Sequence, residues 1–288
     1  MKAERIALGT AQFGLDYGIN NTRGRIPAGE AHEILKLARL SDIDTLDTAG
    51  AYGDSQKTIG DFIRKEGGAF KIISKVPKKY SSVGMELKKT LAELSIDSLY
   101  GYLFHDFESY KQNPSALDEL KRLNPKTQRI GFSLYKTEEL EYLFEQNIYF
   151  DIVQFPYSVL DRRFEKYFGE LKTRGIEIHT RSVFLQGLLF RKPDELAGKF
   201  ARAGVKIAGL RKIADKNGIP LHALYLNFAL ADEKIDRVVV GVDNIGNFKE
   251  IIGSLAYYKK VEKIRKELQG FQEDELDMIL PTRWVRVN

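Results

Sequence analysis

Short apolar segments alternate with amphipathic segments eight times along the chain. Each apolar segment is bounded by Gly, Pro or polar residues, as is typical of strands that are buried on both faces. The segments between them place apolar residues at helical spacing, and Ala31, Ile34, Leu35 and Ala38 form the first such stripe. The predicted strands span residues 5–8, 44–48, 70–76, 98–104, 129–133, 151–155, 176–183 and 237–242.

Eight consecutive strand-and-helix units favour an α/β fold, the (β/α)8 TIM barrel. Parallel strands joined by right-handed crossovers close into such a barrel, which usually takes about 250 residues. Because no Pro-, Gly- or Ser-rich linker divides the 288 residues, we expect a single domain, 1–288, with a C-terminal tail from about residue 259. An open doubly wound sheet is the alternative. Its GxGxxG nucleotide motif is absent, since the sequence after the first strand is GTAQFG.

The amino-acid composition limits which classes of binding partner the protein is expected to have. Lys and Arg number 45 against 40 Asp and Glu, and these basic residues are scattered and do not form the stripe that binds nucleic acid. The absence of Cys excludes disulfides and thiolate metal sites, and no metal is expected. No window approaches the ~20 apolar residues that span a bilayer, and the first residues do not read as a signal peptide. We expect a cytoplasmic protein that acts on a small molecule, as a monomer or a weak homo-oligomer.

Three consecutive predicted strands end in a titratable side chain, namely Asp47, Lys75 and His105. Tyr52 lies in the turn that follows the first of them, next to Gly53. Active sites of such barrels form at the carboxyl ends of the strands. We therefore expect an acid, a phenol, an amine and an imidazole to meet at one end of the barrel.

These side chains suit the reduction of a carbonyl group, which needs a hydride on carbon and a proton on oxygen. Tyr52 is the expected proton donor, although an ordinary phenol has a pKa of about 10. We expect the Lys75 ammonium to lower the pKa of Tyr52, and Asp47 to keep the buried amine charged. His105 is expected to donate a hydrogen bond to the carbonyl oxygen.

The segments LDTAGAYGDSQKTIG, IISK and YLFH resemble the signature of the aldo-keto reductase superfamily, and the likeness extends from residue 5 to about residue 256. The signature is Asp-Thr-Ala-x-x-Tyr-Gly, followed by a Lys and a His at the next two strand ends. The resemblance implies a barrel that reduces an aldehyde or ketone with a nicotinamide cofactor, usually NADP(H). It also implies that Tyr52 donates the proton, with Asp47, Lys75 and His105 in support.

The resemblance assigns further residues to the cofactor. Thr10 matches a Gly-Thr pair near the nicotinamide, and Ser133 and Gln154 match positions that hold its carboxamide. Leu134 replaces a usual Asn. Arg181 stands where an aromatic residue stacks on the nicotinamide, and the sequence leaves open whether its guanidinium stacks there or contacts the pyrophosphate. The segment along the pyrophosphate corresponds to Ser182, Gln186, Gly187 and Leu188.

Residues 241–252, GVDNIGNFKEII, resemble the adenosine-binding loop and begin at Gly241. The family often places a cation there against the 2′-phosphate of NADP, whereas this chain has Asp243. NAD(H) is therefore a second candidate cofactor. Asn247 is expected to face the adenine, and the N-terminus of the following helix is expected to favour an anion of either cofactor.

Two other functions stay open from the sequence. A regulatory barrel that binds the cofactor but scarcely turns over would keep the same residues, and Arg181 and Leu134 leave room for it. An isomerase or aldolase would form a Schiff base on Lys75, which requires an amine without a carboxylate partner. The substrate pocket is expected to have aromatic walls suited to a sugar-like carbonyl compound, with the candidates Phe13, Tyr17, Phe107, Tyr135, Tyr157 and Phe184.

Overall fold

The computed structural model describes residues 2–18 and 21–284, and all eight predicted strands are present in it. They pair in chain order, each parallel to its neighbours, and the last pairs with the first to close a barrel. The predicted (β/α)8 barrel is therefore confirmed. The strands are β1 Ile6–Gly9, β2 Thr45–Asp47, β3 Lys71–Val76, β4 Leu99–Phe104, β5 Thr127–Ser133, β6 Ile152–Pro156, β7 Glu177–Arg181 and β8 Arg237–Gly241.

Helices surround the barrel and bury their apolar stripes against it. The first stripe, Ala31, Ile34, Leu35 and Ala38, is fully buried, as its spacing predicts. The helices are α1 Ala28–Leu40, α2 Ser55–Glu66, α3 Val83–Leu94, α4 Phe107–Gln112, α5 Ser115–Arg122, α6 Thr137–Glu145, α7 Phe168–Thr173, α8 Ala201–Asn217, α9 Leu221–Leu230, α10 Ile245–Gly253, α11 Tyr258–Gln269 and α12 Leu276–Ile279.

The inside of the barrel is a second, smaller apolar cluster, formed by Ile73, Leu103 and Ile152. Gly101 makes room for it, because a Cβ atom there would lie 2.9 Å from the Cδ1 of Ile152. Side chains two residues apart on a strand project to the same face. Lys75, which lies two residues beyond Ile73, therefore projects into the next layer, at the carboxyl end of the barrel.

The C-terminal segment packs against the barrel through two of its helices. Contacts join α11 to α9, and Arg265 of α11 donates a hydrogen bond to Asp232 at 2.8 Å. Farther on, Glu273 is fully buried and its backbone N–H donates to the carbonyl of Leu160. Within residues 2–18 and 21–284, no helix combines the length and the hydropathy needed to cross a membrane.

Candidate active site

The floor of the site is a buried ion pair between β2 and β3. The Nζ of Lys75 donates to the Oδ1 of Asp47 at 2.6 Å and to the carbonyl of Thr48 at 3.1 Å. The other carboxylate oxygen, Oδ2, accepts from the Nε2 of Gln154 at 2.7 Å. Asp47 is 3% exposed and Lys75 is 1% exposed, so neither reaches solvent freely. Burial lowers the pKa of Lys75, and the Asp47 carboxylate opposes that shift.

Tyr52 and His105 lie directly over this ion pair. The Nζ of Lys75 is 5.3 Å from the centroid of the Tyr52 ring, and the Tyr52 and His105 rings meet edge to face with centroids 5.8 Å apart. The structure thus brings together Asp47, Tyr52, Lys75 and His105, which sequence reasoning had placed at three successive strand ends.

Two glycines set the position of the Tyr52 turn. Gly53 has a φ of +54°, a conformation that side chains other than that of glycine rarely adopt. The facing Gly14 lies so close that a Cβ atom there would be 1.8 Å from the carbonyl oxygen of Tyr52. The turn that carries Tyr52 therefore rests directly on the loop after β1.

Ser55 strengthens the same contact, in a way that the sequence did not suggest. Asp54 is the N-cap residue of α2, and Ser55 is the first residue of the helix. The hydroxyl of Ser55 is fully buried and lies 2.9 Å from both the carbonyl and the hydroxyl oxygen of Thr10. It bonds to the β1 loop because that loop, and not the start of its own helix, is the nearest polar neighbour.

The pKa of Tyr52 shifts in the direction opposite to the one expected from the sequence. Burial raises it, the Asp47 carboxylate raises it further, and the Arg181 guanidinium opposes the rise. Lys75, which is paired with Asp47 at 2.6 Å, does not lower it as expected. Burial, together with the charges of Lys75 and Arg181, lowers the pKa of His105 to about 3, so this imidazole is neutral at ordinary pH.

A pocket opens above these groups at the carboxyl end of the barrel. Tyr52 and His105 line it, while Lys75 lies below. Leu188 does not line it, because its side chain is buried in the main core and leaves no face for a ligand. The other predicted cofactor residues do line it: Thr10, Ser133, Gln154, Arg181, Ser182, Gln186, Gly187, Gly241, Asp243 and Asn247.

The aromatic walls are fewer than expected. Tyr17, Tyr135 and Phe184 line the pocket. The expected wall residues Phe13, Phe107 and Tyr157 are instead buried in the main core. Sequence reasoning missed several lining residues, of which Gln12, in GTAQFG next to the Gly-Thr pair, had the clearest sequence signal. The missed residues include Gln12, Phe190 and His222.

The loop after β7 has an unusual backbone where it borders the pocket. Ser182, Leu185 and Gln186 all have positive φ angles, between 46° and 63°, which is costly for residues other than glycine. The Nε2 of Gln186 donates to the hydroxyl of Tyr17 at 2.9 Å. This hydrogen bond joins the loop after β7 to the loop after β1 beside the pocket.

Arg181, the last residue of β7, stacks on an aromatic ring of its own chain. Its Cζ lies 4.0 Å from the centroid of the Tyr135 ring, and its Nη2 donates to the carbonyl of Leu134 at 3.0 Å. Within the described residues it has no carboxylate partner at ion-pair distance.

Near the far end of the pocket, away from Tyr52, the carboxylate of Glu30 contacts the start of α10. Glu30 accepts a hydrogen bond from the backbone N–H of Ile245 at 3.0 Å and pairs with Arg23 at 3.1 Å. This N–H lowers the pKa of Glu30. Two N–H groups at this helix N-terminus, those of Ile245 and Asn247, therefore already have acceptors within the chain, namely Glu30 and Asn244.

Asp243 adds a second carboxylate to this end of the pocket. Its Oδ1 accepts from the Nε2 of Gln12 at 3.4 Å, and burial raises its pKa. Lys249, the nearest cation in the segment, is exposed to solvent and does not line the pocket.

Two buried side-chain oxygens of the pocket lack a hydrogen-bond donor within the described residues, and both belong to amides. They are the Oε1 atoms of Gln154 and Gln12. A buried acceptor without a donor is costly, and the carboxamide N–H2 of a nicotinamide would satisfy it. The pocket therefore fits such a cofactor. In the part of the chain that the structure describes, no group of three or more His, Asp or Glu residues is placed to hold a metal ion.

Comparison with known proteins agrees with this geometry. The model of the aldo/keto reductase family matches residues 5–273. Aldo-keto reductase AKR11C1 from Bacillus halodurans, in its holo form, is 19% identical with a TM-score of 0.74, over 95% of each chain. Its apo form is 21% identical with a TM-score of 0.68, over 88% of this chain and 91% of that one.

A third solved structure, PA4992 of Pseudomonas aeruginosa, also titled as an aldo-keto reductase, is 18% identical with a TM-score of 0.66. The match covers 88% of this chain and 90% of that one. No curated protein matches the chain. At these identities the solved structures show a common fold.

Proposed function

The chain belongs to the aldo/keto reductase family, and on that premise we propose that it reduces an aldehyde or ketone to an alcohol with a nicotinamide dinucleotide. The proposal depends on one observation: Tyr52 and His105 lie next to each other above the buried Asp47–Lys75 pair at the floor of the pocket. A phenol, a neutral imidazole and a neutralised amine together suit proton delivery to a carbonyl oxygen.

Tyr52 donates its proton to the carbonyl oxygen while the carbonyl carbon is reduced. When bound, the dihydronicotinamide supplies the hydride and is oxidised. His105 is neutral, so it can donate one hydrogen bond to the same oxygen without competing as an acid. Tyr52 is left as a phenolate, which Arg181 stabilises until a proton returns from solvent.

Gln154 and Ser133 are the residues that would hold the nicotinamide. Gln154 already anchors Asp47 through its amide nitrogen, and its Oε1 is left to accept from a carboxamide. The same side chain would then link the cofactor to the ion pair under Tyr52. The arrangement couples cofactor position to the proton donor through one residue.

The far end of the pocket, around Asp243 and the start of α10, is the proposed nucleotide end. Its charge favours NADH over NADPH, the usual cofactor of the family. Asp243 brings a carboxylate without a cationic partner to this end, and a 2′-phosphate would be repelled by it, whereas the nearby Glu30 is matched by Arg23. Asp243 is placed in the pocket lining, where it can accept from a ribose hydroxyl. Lys249 points to solvent and offers no compensating charge.

The aldolase alternative is not favoured. A Schiff base needs an accessible amine, and Lys75 is 1% exposed and paired with Asp47. The complete set of Asp47, Tyr52, Lys75 and His105 likewise favours turnover over a purely regulatory role.

The proposal is tested by cofactor titration followed by turnover. Nicotinamide fluorescence is measured while the protein is added to NADH or NADPH, and a panel of aldehydes and keto-sugars is then assayed with the cofactor that binds. We expect micromolar binding, tighter for NADH, and oxidation of the cofactor that depends on the carbonyl compound. If neither cofactor binds below millimolar concentration, the proposed function is wrong.

A further inference from the structure

Beside Tyr52 and His105, the pocket is lined by one cation without a matching anion among the described residues. Asp47 is paired with Lys75, and the buried Asp161 is paired with Arg163 at 2.8 Å. Arg181 is left without a carboxylate partner among the described residues. A partly buried guanidinium without a counter-ion is costly, so an unmatched one that lines a pocket indicates an anionic ligand.

The guanidinium of Arg181 is held in a fixed orientation. It lies on the Tyr135 ring at 4.0 Å and donates to the carbonyl of Leu134 at 3.0 Å, with the hydroxyl of Ser182 at 3.4 Å. The backbone of Tyr135 is itself fixed, because its carbonyl accepts from the Nη1 of Arg163 at 3.1 Å. A guanidinium has five N–H donors, so most of them are left for a ligand.

This cation belongs to the reaction end of the pocket. Arg181 shares the pocket lining with Tyr52 and His105, and its charge acts on the pKa of both. Asp243, at the nucleotide end, has Gln12 as its partner instead. An anion that met Arg181 would therefore lie beside the carbonyl group that is reduced.

We propose that Arg181 binds a carboxylate of the substrate, so that the enzyme prefers aldehydes or ketones that carry an acid group near the carbonyl. The fork of a guanidinium matches the two oxygens of a carboxylate, and such paired hydrogen bonds are strong and directional. The inference rests on the proposed reductase function and names the class of substrate for it.

The test compares two aldehydes that differ in charge. The probes are 4-carboxybenzaldehyde and its methyl ester, methyl 4-formylbenzoate, each assayed with NADH. For the wild-type protein we expect kcat/KM to be about tenfold or more higher for the acid, mainly through KM. Arg181→Gln should remove this preference, whereas Arg181→Lys should keep part of it because the charge remains.

Arg191→Gln is the matched control, since it removes one positive charge from the loop that follows Arg181. Arg191 pairs with Glu195 at 3.3 Å and lies outside the pocket lining. We expect this variant to keep the wild-type preference for the acid. Loss of the preference in Arg191→Gln would mean that general loop charge, and not Arg181, selects the acid, and would overturn the proposal.

Cofactor binding separates the remaining outcomes. The affinity for NADH, measured by fluorescence, should be nearly unchanged in Arg181→Gln. A large loss of NADH affinity without a change in the acid preference would place Arg181 on the cofactor and overturn the proposal. Equal turnover of the two aldehydes by the wild type would also overturn it, while the reductase function would stand. If protein that binds NADH reduces neither these two aldehydes nor any compound of the wider panel, the proposed function itself fails.

Discussion

The two ends of the pocket carry opposite excess charge. At the reaction end, Asp47 and Lys75 cancel and Arg181 remains, so the excess is positive. At the nucleotide end, Glu30 is matched by Arg23, and Asp243 remains with only an amide as its partner. On the proposed function, the pocket thus offers an attractive site for an anion beside Tyr52 and an unfavourable one for the phosphate that distinguishes NADPH.

The two ends also differ in how their charges are held. The Asp47–Lys75 pair is sealed inside the barrel, whereas the Arg23–Glu30 pair is at the surface, where the Arg23 side chain is 54% exposed. A buried pair depends strongly on both of its members, and a surface pair contributes little. The Asp47–Lys75 charges are therefore part of the fold, whereas the Arg23–Glu30 charges contribute little to its stability.

The largest expected effect comes from removing the proton donor alone. Tyr52→Phe should lower kcat for carbonyl reduction by about 100- to 10,000-fold, because general acid catalysis is lost. The affinity for NADH should stay nearly the same, since the nucleotide end is untouched. Steady-state kinetics and fluorescence titration measure the two quantities. Retained turnover would show that another group supplies the proton.

The difference between the buried and the exposed ion pair can be measured directly. Lys75→Met should reduce the free energy of unfolding by about 3–5 kcal/mol, because it leaves the Asp47 carboxylate buried without its cation. Arg23→Met should reduce it by less than about 1 kcal/mol. Urea denaturation gives both values, and Asp47→Asn combined with Lys75→Met should recover part of the loss. Equal costs for Lys75→Met and Arg23→Met would contradict the contrast.

Cofactor choice is expected to respond to Glu30. Glu30→Gln keeps an acceptor for the N–H of Ile245 but removes the charge, so the affinity for NADPH relative to NADH should rise by about two- to fivefold. Glu33→Gln is the control, because Glu33 is on the same helix and faces solvent. An unchanged ratio in Glu30→Gln would show that its carboxylate does not act on the cofactor.

The smallest effect on kcat is expected from mild acid. The pKa of His105 is lowered to about 3 from an ordinary 6.5, so the imidazole should stay neutral and kcat should show no loss from its protonation between pH 7 and pH 5. Stability should fall over the same range. The unfolded chain gains a proton on this residue below about pH 6.5, and the folded chain does not, which costs up to about 1.4 kcal/mol per pH unit. Urea denaturation at pH 7 and pH 5 tests the sign, with His105→Gln as the reference. A loss of kcat with an apparent pKa near 6 would contradict a neutral, buried His105.

The strands and the ion pair could be predicted from the sequence because both depend on local order. Apolar runs mark each strand, and the alternation of side chains along a strand places Lys75 above Ile73 inside the barrel. Asp47 and His105 follow from the same rule, since the strand ends of a barrel converge.

What the sequence did not reveal depends on contacts between distant segments. Glu30 reaches the start of α10 from a helix 215 residues earlier, and no local pattern marks that contact. The hydroxyl of Ser55 bonds to Thr10, 45 residues earlier in the chain, and no local pattern marks that contact either. The raised pKa of Tyr52 was likewise hidden, because burial and the net charge of neighbours exist only in the folded chain.

The contact between Gly14 and the Tyr52 turn sets a rule for protein engineering. The backbone junction between Gly14 and the Tyr52 turn has no room for even one added carbon atom. The loops after β1 and β2 therefore hold Tyr52 as one rigid unit. Libraries that aim to broaden the range of accepted carbonyl compounds should therefore randomise Phe184 and Tyr135 and leave both glycines of the junction intact. Substitutions at Gly14 would displace the phenol of Tyr52.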